Sequence, residues 1–85
     1  FDRLMELSLG IAKDLGALGM LYEKRGDPPS ALESYRKSLQ IYQSLGLAGD
    51  VDRLLPLLIA LAERSGQAEE AAAYRLLQAK GKGQP

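Results

Sequence analysis

The chain repeats itself at an offset of 40 residues, and this internal repeat limits its possible folds more than any other feature. Apolar residues within each copy follow one another at spacings of three and four, which places them on one face of an α-helix. The repeated unit is therefore predicted to be a helical hairpin. The identical residues at this offset are Leu15 and Leu55, Leu18 and Leu58, Glu23 and Glu63, Gly26 and Gly66, and Ala31 and Ala71.

The clearest unit is a helical hairpin whose turn contains the tetrapeptide Gly-Asp-Pro-Pro at 26–29. The glycine ends one helix, Asp27 is a good N-cap for the next, and Pro28 suits the first helical position. Ser30 begins a rival capping box a few residues later. The following helix is predicted over 31–45, and its apolar stripe consists of Ala31, Tyr35, Leu39 and Tyr42.

The second half of the chain is predicted to contain two more helices. Residues 46–49 form a flexible break, after which Asp50 caps a helix over 51–64. Pro56 lies inside that helix and is expected to kink it or delay its start, because proline has no amide hydrogen. This helix is apolar on most sides and needs cover on more than one face. A last helix is predicted over 67–80.

The beginning of the chain does not fit the 40-residue period. Residues 8–16 match residues 38–46 at an offset of only 30, so the first junction is ten residues shorter than the second. We expect the helix to break at Leu15-Gly16, with a stunted helix after it, or residues to be missing within 13–18. The alternative is a single helix over 1–25, which would separate the first segment from its hairpin partner and invite domain swapping between chains.

The composition argues against several classes of partner. Eleven basic residues balance eleven acidic ones, so the net charge does not favour binding to nucleic acid or to an anionic membrane. No apolar run approaches the roughly 18 residues of a membrane span. The chain has no cysteine, which fits a reducing compartment, and we expect a cytoplasmic location.

No group of residues indicates catalysis. The chain has no histidine, which removes the commonest general base and the commonest metal ligand. Asp50 and Asp52 are better explained as a helix cap beside an exposed acid than as a catalytic carboxylate pair. Lys80 and Lys82 lie beside glycines but do not form a phosphate-binding loop. We expect no enzymatic activity, no cofactor and no metal.

Two motifs in the first full hairpin resemble those of the tetratricopeptide repeat (TPR) family, in its longer-repeat form. Leu18-Gly19-x-x-Tyr22 resembles the family pattern on the first helix, and Ala31-x-x-x-Tyr35 resembles the pattern on the second. The small residues allow the helices to approach closely, and the tyrosines fill the space around them. The later copy departs further, because it loses the glycine and the first tyrosine.

The resemblance implies an all-α fold of antiparallel helical hairpins stacked as a short right-handed TPR-like solenoid. It divides a single domain over 1–80 into a half-repeat over 1–16, a repeat over 17–46 and a degenerate repeat over 50–80. Residues 81–85 are expected to form a flexible, frayed tail.

In such a solenoid, the first helix of each pair lines a concave groove that binds a peptide or a helix of a partner protein. Lys and Asn residues that clamp a C-terminal carboxylate in some family members have no counterpart here, because their positions are Gly16 and Met20. The residues that the resemblance places on the groove face are Met20, Glu23, Lys24, Arg53, Ala60, Glu63 and Arg64.

The expected function is a non-catalytic protein–protein interaction module that binds a protein or peptide partner. The chain starts at Phe1 rather than Met, and we expect it to belong to a longer array. Two and a half repeats fall short of the roughly three needed for a stable stack, so the apolar surface over 54–61 needs further cover. One alternative is a self-associating segment that forms a homo-oligomer, including a domain-swapped form. Another is a regulatory TPR segment of a larger enzyme or transcription regulator.

Overall fold

Four α-helices make up the fold in this computed structural model, which describes residues 3–83. They are α1 (Arg3–Lys24), α2 (Pro28–Ser44), α3 (Ala48–Arg64) and α4 (Ala68–Gly83). No strand occurs in this range, which confirms the all-α class. The predicted tail over 81–85 is helical as far as Gly83, and its last two residues lie outside the described residues, as do Phe1 and Asp2.

Three nearly identical turns connect the helices. Each contains a glycine with a positive φ, at Gly26 (75°), Gly46 (71°) and Gly66 (76°), so the turns recur every 20 residues. In each turn the amide after the glycine donates to a carbonyl five residues earlier, at 2.7 to 3.0 Å. The glycine amide donates to the carbonyl three residues earlier, at 3.0 to 3.2 Å. These are Schellman motifs, so the predicted flexible break over 46–49 is instead an ordered turn.

Helix α1 is continuous from Arg3 to Lys24. The expected break at Leu15-Gly16 is therefore wrong, and the alternative of one long helix is confirmed. A glycine inside a helix costs only about 1 kcal/mol, and α1 offsets that cost by burying Ala12 and Gly19. Because α1 packs against α2 of the same chain, the long helix is not separated from its hairpin partner.

Helix α2 starts at the predicted Asp27 cap, three residues before the predicted span over 31–45, and the start of α3 differs from the prediction as well. The Asp27 carboxylate accepts a hydrogen bond from the amide of Ser30 at 3.3 Å, and Pro28 begins the helix, as predicted. Helix α3 begins at Ala48 without any side-chain cap, so Asp50 is not its N-cap. Pro56 does not delay the start, because it lies in the middle of the helix.

Among residues 3–83, only consecutive helices pack against each other along their length. The turns are three residues long, so neighbouring helices run antiparallel. The molecule measures 40 × 36 × 15 Å, so it is much thinner in one direction than in the other two. The predicted α2 stripe is buried, and the large side chains with almost no exposed surface include Tyr35, Leu55, Leu58 and Leu61.

Candidate functional site

One depression on the surface lies where three helices meet. It has a volume of about 290 Å³, with α1 and α3 as its walls and α2 as its floor. We call it the α1–α3 groove. Its lining residues are Lys13, Gly16, Ala17 and Met20 of α1, Tyr35, Ser38 and Tyr42 of α2, and Arg53, Leu54 and Leu57 of α3.

The sequence builds this groove from one face of each helix. The α1 lining residues follow the spacing i, i+3, i+4, i+7, which places them together on one side of the helix. Gly16 and Ala17 are small, so the α1 wall stays low in its middle. The two tyrosines of the floor, Tyr35 and Tyr42, are buried, and they present little more than ring surface to the groove.

The position of the floor against α1 is set by two hydrogen bonds and one close contact. The Tyr35 hydroxyl donates to the Glu23 carboxylate at 2.8 Å, and the Ser38 hydroxyl donates to the Ala12 carbonyl at 2.8 Å. The Tyr35 ring lies directly on Gly19, where a Cβ atom would be 2.9 Å from ring atoms. Burial and the hydrogen bond to Glu23 raise the pKa of Tyr35 well above its usual range. Tyr35 therefore acts as a neutral anchor.

The groove combines an apolar surface with positive charge. Met20 is 55% exposed at the α1 wall, and Leu57 is exposed at the α3 wall. The charged lining residues, Lys13 and Arg53, are both cationic. Arg53 pairs with Asp50 at 2.7 Å, whereas Lys13 has no ion pair with any residue in the described part of the chain. This arrangement can hold apolar side chains of a ligand and favours acidic neighbours around them.

Two of the predicted groove residues, Met20 and Arg53, lie together in this groove. Lys24, Ala60 and Arg64 are exposed but do not line it. Lys24 follows Met20 by four residues, and Ala60 and Arg64 follow Leu57 by three and seven, so these residues share the helix faces of the groove but lie further along them.

The two predicted glutamates take part in contacts between helices. Glu23 accepts the Tyr35 hydrogen bond, and Glu63 forms an ion pair with Arg75 of α4. Glu63 also borders a second depression, next to Gly66. Sequence reasoning missed Lys13 and Leu57 of the α1–α3 groove. Lys13 lies seven residues before Met20 on the same face of α1, and this spacing could have predicted its place in the groove.

A second polar cluster joins α2 to α4. Two nitrogens of the Arg36 guanidinium donate to the two carboxylate oxygens of Glu70, each at 2.8 Å, and the Tyr74 hydroxyl also donates to Glu70. Burial opposes ionisation of Glu70, but the hydrogen bonds from Arg36 and Tyr74 outweigh it and lower the pKa of Glu70. Burial and the Glu70 carboxylate raise the pKa of Tyr74 to about 12.

Replacing Glu70 with glutamine is expected to make the stability less dependent on pH. The folded state lowers the pKa of Glu70, so its contribution is present above the ordinary value of 4.5 and is lost as the pH falls below it. Near neutral pH the substitution should cost about 1 kcal/mol, because the ion pair is bidentate but partly exposed. Urea unfolding at neutral and acidic pH measures the difference.

The neighbouring Glu69→Gln is the matched control for this experiment, since Glu69 is exposed at the start of the same helix. Glu69→Gln should unfold like the unmodified chain at both pH values. A difference between Glu70→Gln and the unmodified chain that stayed constant on acidification would contradict the assigned role of the carboxylate.

Sites of other kinds are missing from the described range. Residues 3–81 contain no group of three or more acidic, cysteine or histidine side chains arranged to hold a metal ion. No helix in the described range is both long enough and apolar enough to cross a membrane. Asp50, one of the two acids considered above as a carboxylate pair, is engaged with Arg53.

No protein-family model matches the chain, and no curated protein and no solved structure matches it significantly. The TPR resemblance of the segment over 18–35 therefore stays a prediction. The functional proposal depends on the geometry and charge of the α1–α3 groove.

Proposed function

We propose that this chain is a non-catalytic protein–protein interaction module that binds a peptide or helix of a partner protein in the α1–α3 groove. The observation that carries the proposal is the groove itself, an open apolar depression bounded by three helices. Its exposed Met20 and Leu57 provide the apolar contacts that recognition of a helix in a groove requires.

The proposed architecture is a short TPR-like solenoid. It is supported by the 40-residue repeat and by the packing of each helix on its chain neighbours alone. It is also supported by the contact between Gly19 and the Tyr35 ring, because those residues belong to the two motifs of the resemblance. The Arg36–Glu70 ion pair joins α2 to α4, while the groove separates α1 from α3. Such an alternation is expected where first and second helices of successive hairpins form two layers.

The chemistry of the lining selects among partners. Met20 is flexible and can adapt to differently shaped apolar side chains, as methionine does at many binding surfaces. Lys13 and Arg53 flank the apolar part, so acidic residues on a ligand would gain from binding and basic residues would lose. The preferred ligand is therefore an amphipathic helix with leucines on one face and glutamates or aspartates beside them.

A pair of labelled synthetic peptides tests this proposal. Both carry leucines at helical spacing, but one has glutamates at the flanking positions and the other has lysines. Fluorescence anisotropy should show that the acidic peptide binds at least about tenfold more tightly, which corresponds to about 1.4 kcal/mol. The preference should weaken in high salt, because the charges are exposed.

Met20→Glu is expected to weaken binding of the acidic peptide at least about tenfold, since it places a negative charge inside the groove. Gln40→Glu is the matched control, because it adds the same charge at an exposed α2 position outside the groove. Circular dichroism should show both variants folded. Equal binding by Met20→Glu and the control would rule out the groove as the site.

A further inference from the structure

We propose that two copies of this chain associate head to tail, with α1 of one copy packed on the outer face of α4 of the next. This contact uses the two ends of the helix row. It is separate from the α1–α3 groove and does not depend on the function proposed for that groove.

The first of the two surfaces is an exposed apolar stripe on α1. Its residues follow spacings of three, four and seven, so they lie on one side of the helix. Helix α2 is the only helix packed along α1 within the described residues, and it covers a different side, marked by Ala12 and Gly19. The α1 stripe consists of Leu4, Leu7, Ile11, Leu18 and Leu21, all of which are exposed.

The internal repeat shows what kind of neighbour the α1 stripe fits. Leu18 and Leu21 correspond to Leu58 and Leu61 of α3, 40 residues later. Leu58 is 0% exposed and Leu18 is 39% exposed, although both are leucines at equivalent places in the repeat. The difference is that α3 has a helix on either side, α2 and α4, whereas α1 has only α2. The α1 stripe is therefore the face on which a preceding helix would pack.

The second surface, the outer face of α4, matches that requirement. Ala72, Leu76 and Ala79 lie 40 residues after Leu32, Arg36 and Leu39 of α2. In α2, the two leucines are buried where that helix packs between α1 and α3. In α4, all three residues are exposed, and Leu76 is 59% exposed. The packing of α2 on α3 inside one chain is thus the pattern for α4 of one copy on α1 of the next.

The two faces are also complementary in size. The α1 stripe presents large leucines, and the α4 face presents two alanines that leave room for them. Asp14 lies in the gap of the stripe between Ile11 and Leu18, so pairing two α1 stripes would bury two carboxylates in an apolar contact. An α4 face packed on the α1 stripe brings only one such carboxylate into the contact. A second copy is therefore better accommodated by α4 than by another α1.

This contact joins two different surfaces, so the binding of two chains does not block the binding of a third. Each added copy leaves one free α1 stripe and one free α4 face. Sedimentation velocity of the 85-residue chain should therefore show a mean mass that rises steadily with concentration, through dimers to larger species. A single monomeric mass across a wide concentration range would overturn the proposal.

Two single substitutions, each blocking one end, give the sharper test. Leu18→Glu places a charge in the α1 stripe, and Leu76→Glu places one on the α4 face. Each variant alone should be monomeric at concentrations where the unmodified chain and the control Gln40→Glu assemble. An equimolar mixture of the two variants should form a one-to-one complex and stop there, because only one compatible pair of faces remains.

The single variants and their mixture together show whether α4 or a second α1 covers the α1 stripe. If Leu76→Glu alone still formed a dimer, α1 would be pairing with α1 and the head-to-tail contact would be wrong. A mixture that remained monomeric would equally refute it. Circular dichroism checks that both variants are helical, and the neutral pair Leu18→Gln and Leu76→Gln repeats the test if a charged variant fails to fold.

Discussion

Replacing Leu58 with alanine is expected to lower the free energy of unfolding by about 3 kcal/mol. Leu58 has no exposed surface and lies in the middle of α3, between α2 and α4. Its loss removes apolar contacts and leaves a cavity that the three helices cannot fully close. A domain of this length has a total stability of about 4 to 13 kcal/mol, so the variant should lose much of it. Urea unfolding followed by circular dichroism measures the change.

Leu18→Ala is the matched control, because Leu18 occupies the equivalent place in the repeat, 40 residues earlier. It is partly exposed on the α1 stripe, so its truncation should cost less than about 1 kcal/mol in dilute solution. Losses of similar size at both positions would mean that the two leucines are buried alike, and that the α1 stripe is not a free surface.

Replacing Gly19 with alanine is expected to destabilise the fold by about 2 kcal/mol, although the same replacement usually stabilises a helix. Alanine would add about 1 kcal/mol of helix propensity. However, its Cβ would lie 2.9 Å from the ring of Tyr35, which is closer than such atoms pack. The ring is buried and its hydroxyl is bound to Glu23, so it cannot move away without breaking that hydrogen bond. Thermal and urea unfolding both report the effect.

Gly10→Ala serves as the control within the same helix. Beyond the adjoining turns of α1 itself, no described residue has an atom within 4 Å of a Cβ placed there, so this variant should be more stable than the unmodified chain by about 0.5 to 1 kcal/mol. Opposite signs for the two substitutions are the expected result. Stabilisation by Gly19→Ala would show that Tyr35 does not hold α1 and α2 at the close distance described.

The turns were the part of the fold most open to prediction from the sequence. Gly26 is followed by Asp27 and Pro28, and these three residues predict both the end of one helix and the start of the next. The turn at Gly46 has no comparable cap, so the local sequence predicts a flexible break there. Its equal spacing from Gly26 and Gly66 was available in the sequence and indicates the same ordered turn.

The glycines of α1 do not by themselves predict whether the helix is continuous or broken. Gly16 lies inside the helix, whereas Gly26 ends it, and the difference comes from the residues that follow. Ala17 and Leu18 continue the helical pattern, and no residue there offers a cap or blocks a helical turn. The stabilisation that keeps the helix intact comes from packing on α2, which local propensity does not contain.

The candidate site was predicted only in part, for a related reason. Met20 and Arg53 share the α1–α3 groove, as expected for inner-face residues, but Lys24 and Arg64 do not line it. Lys24 follows Met20 by four residues and Arg64 follows Leu57 by seven, on the same helix faces, so periodicity predicts the face but not how far along it the groove extends. The ion pair of Glu63 with Arg75 joins two helices, and no local pattern predicts such a contact.

The packing of each helix on its chain neighbours has a consequence for how the molecule folds. Almost every tertiary contact links residues separated by little more than one hairpin, so no large loop must close before a contact can form. Folding can therefore start at any of the three turns and spread outward in both directions. The bidentate ion pair between Arg36 and Glu70 joins α2 to α4, which are not neighbours along the chain. It should therefore form only after the helices have packed.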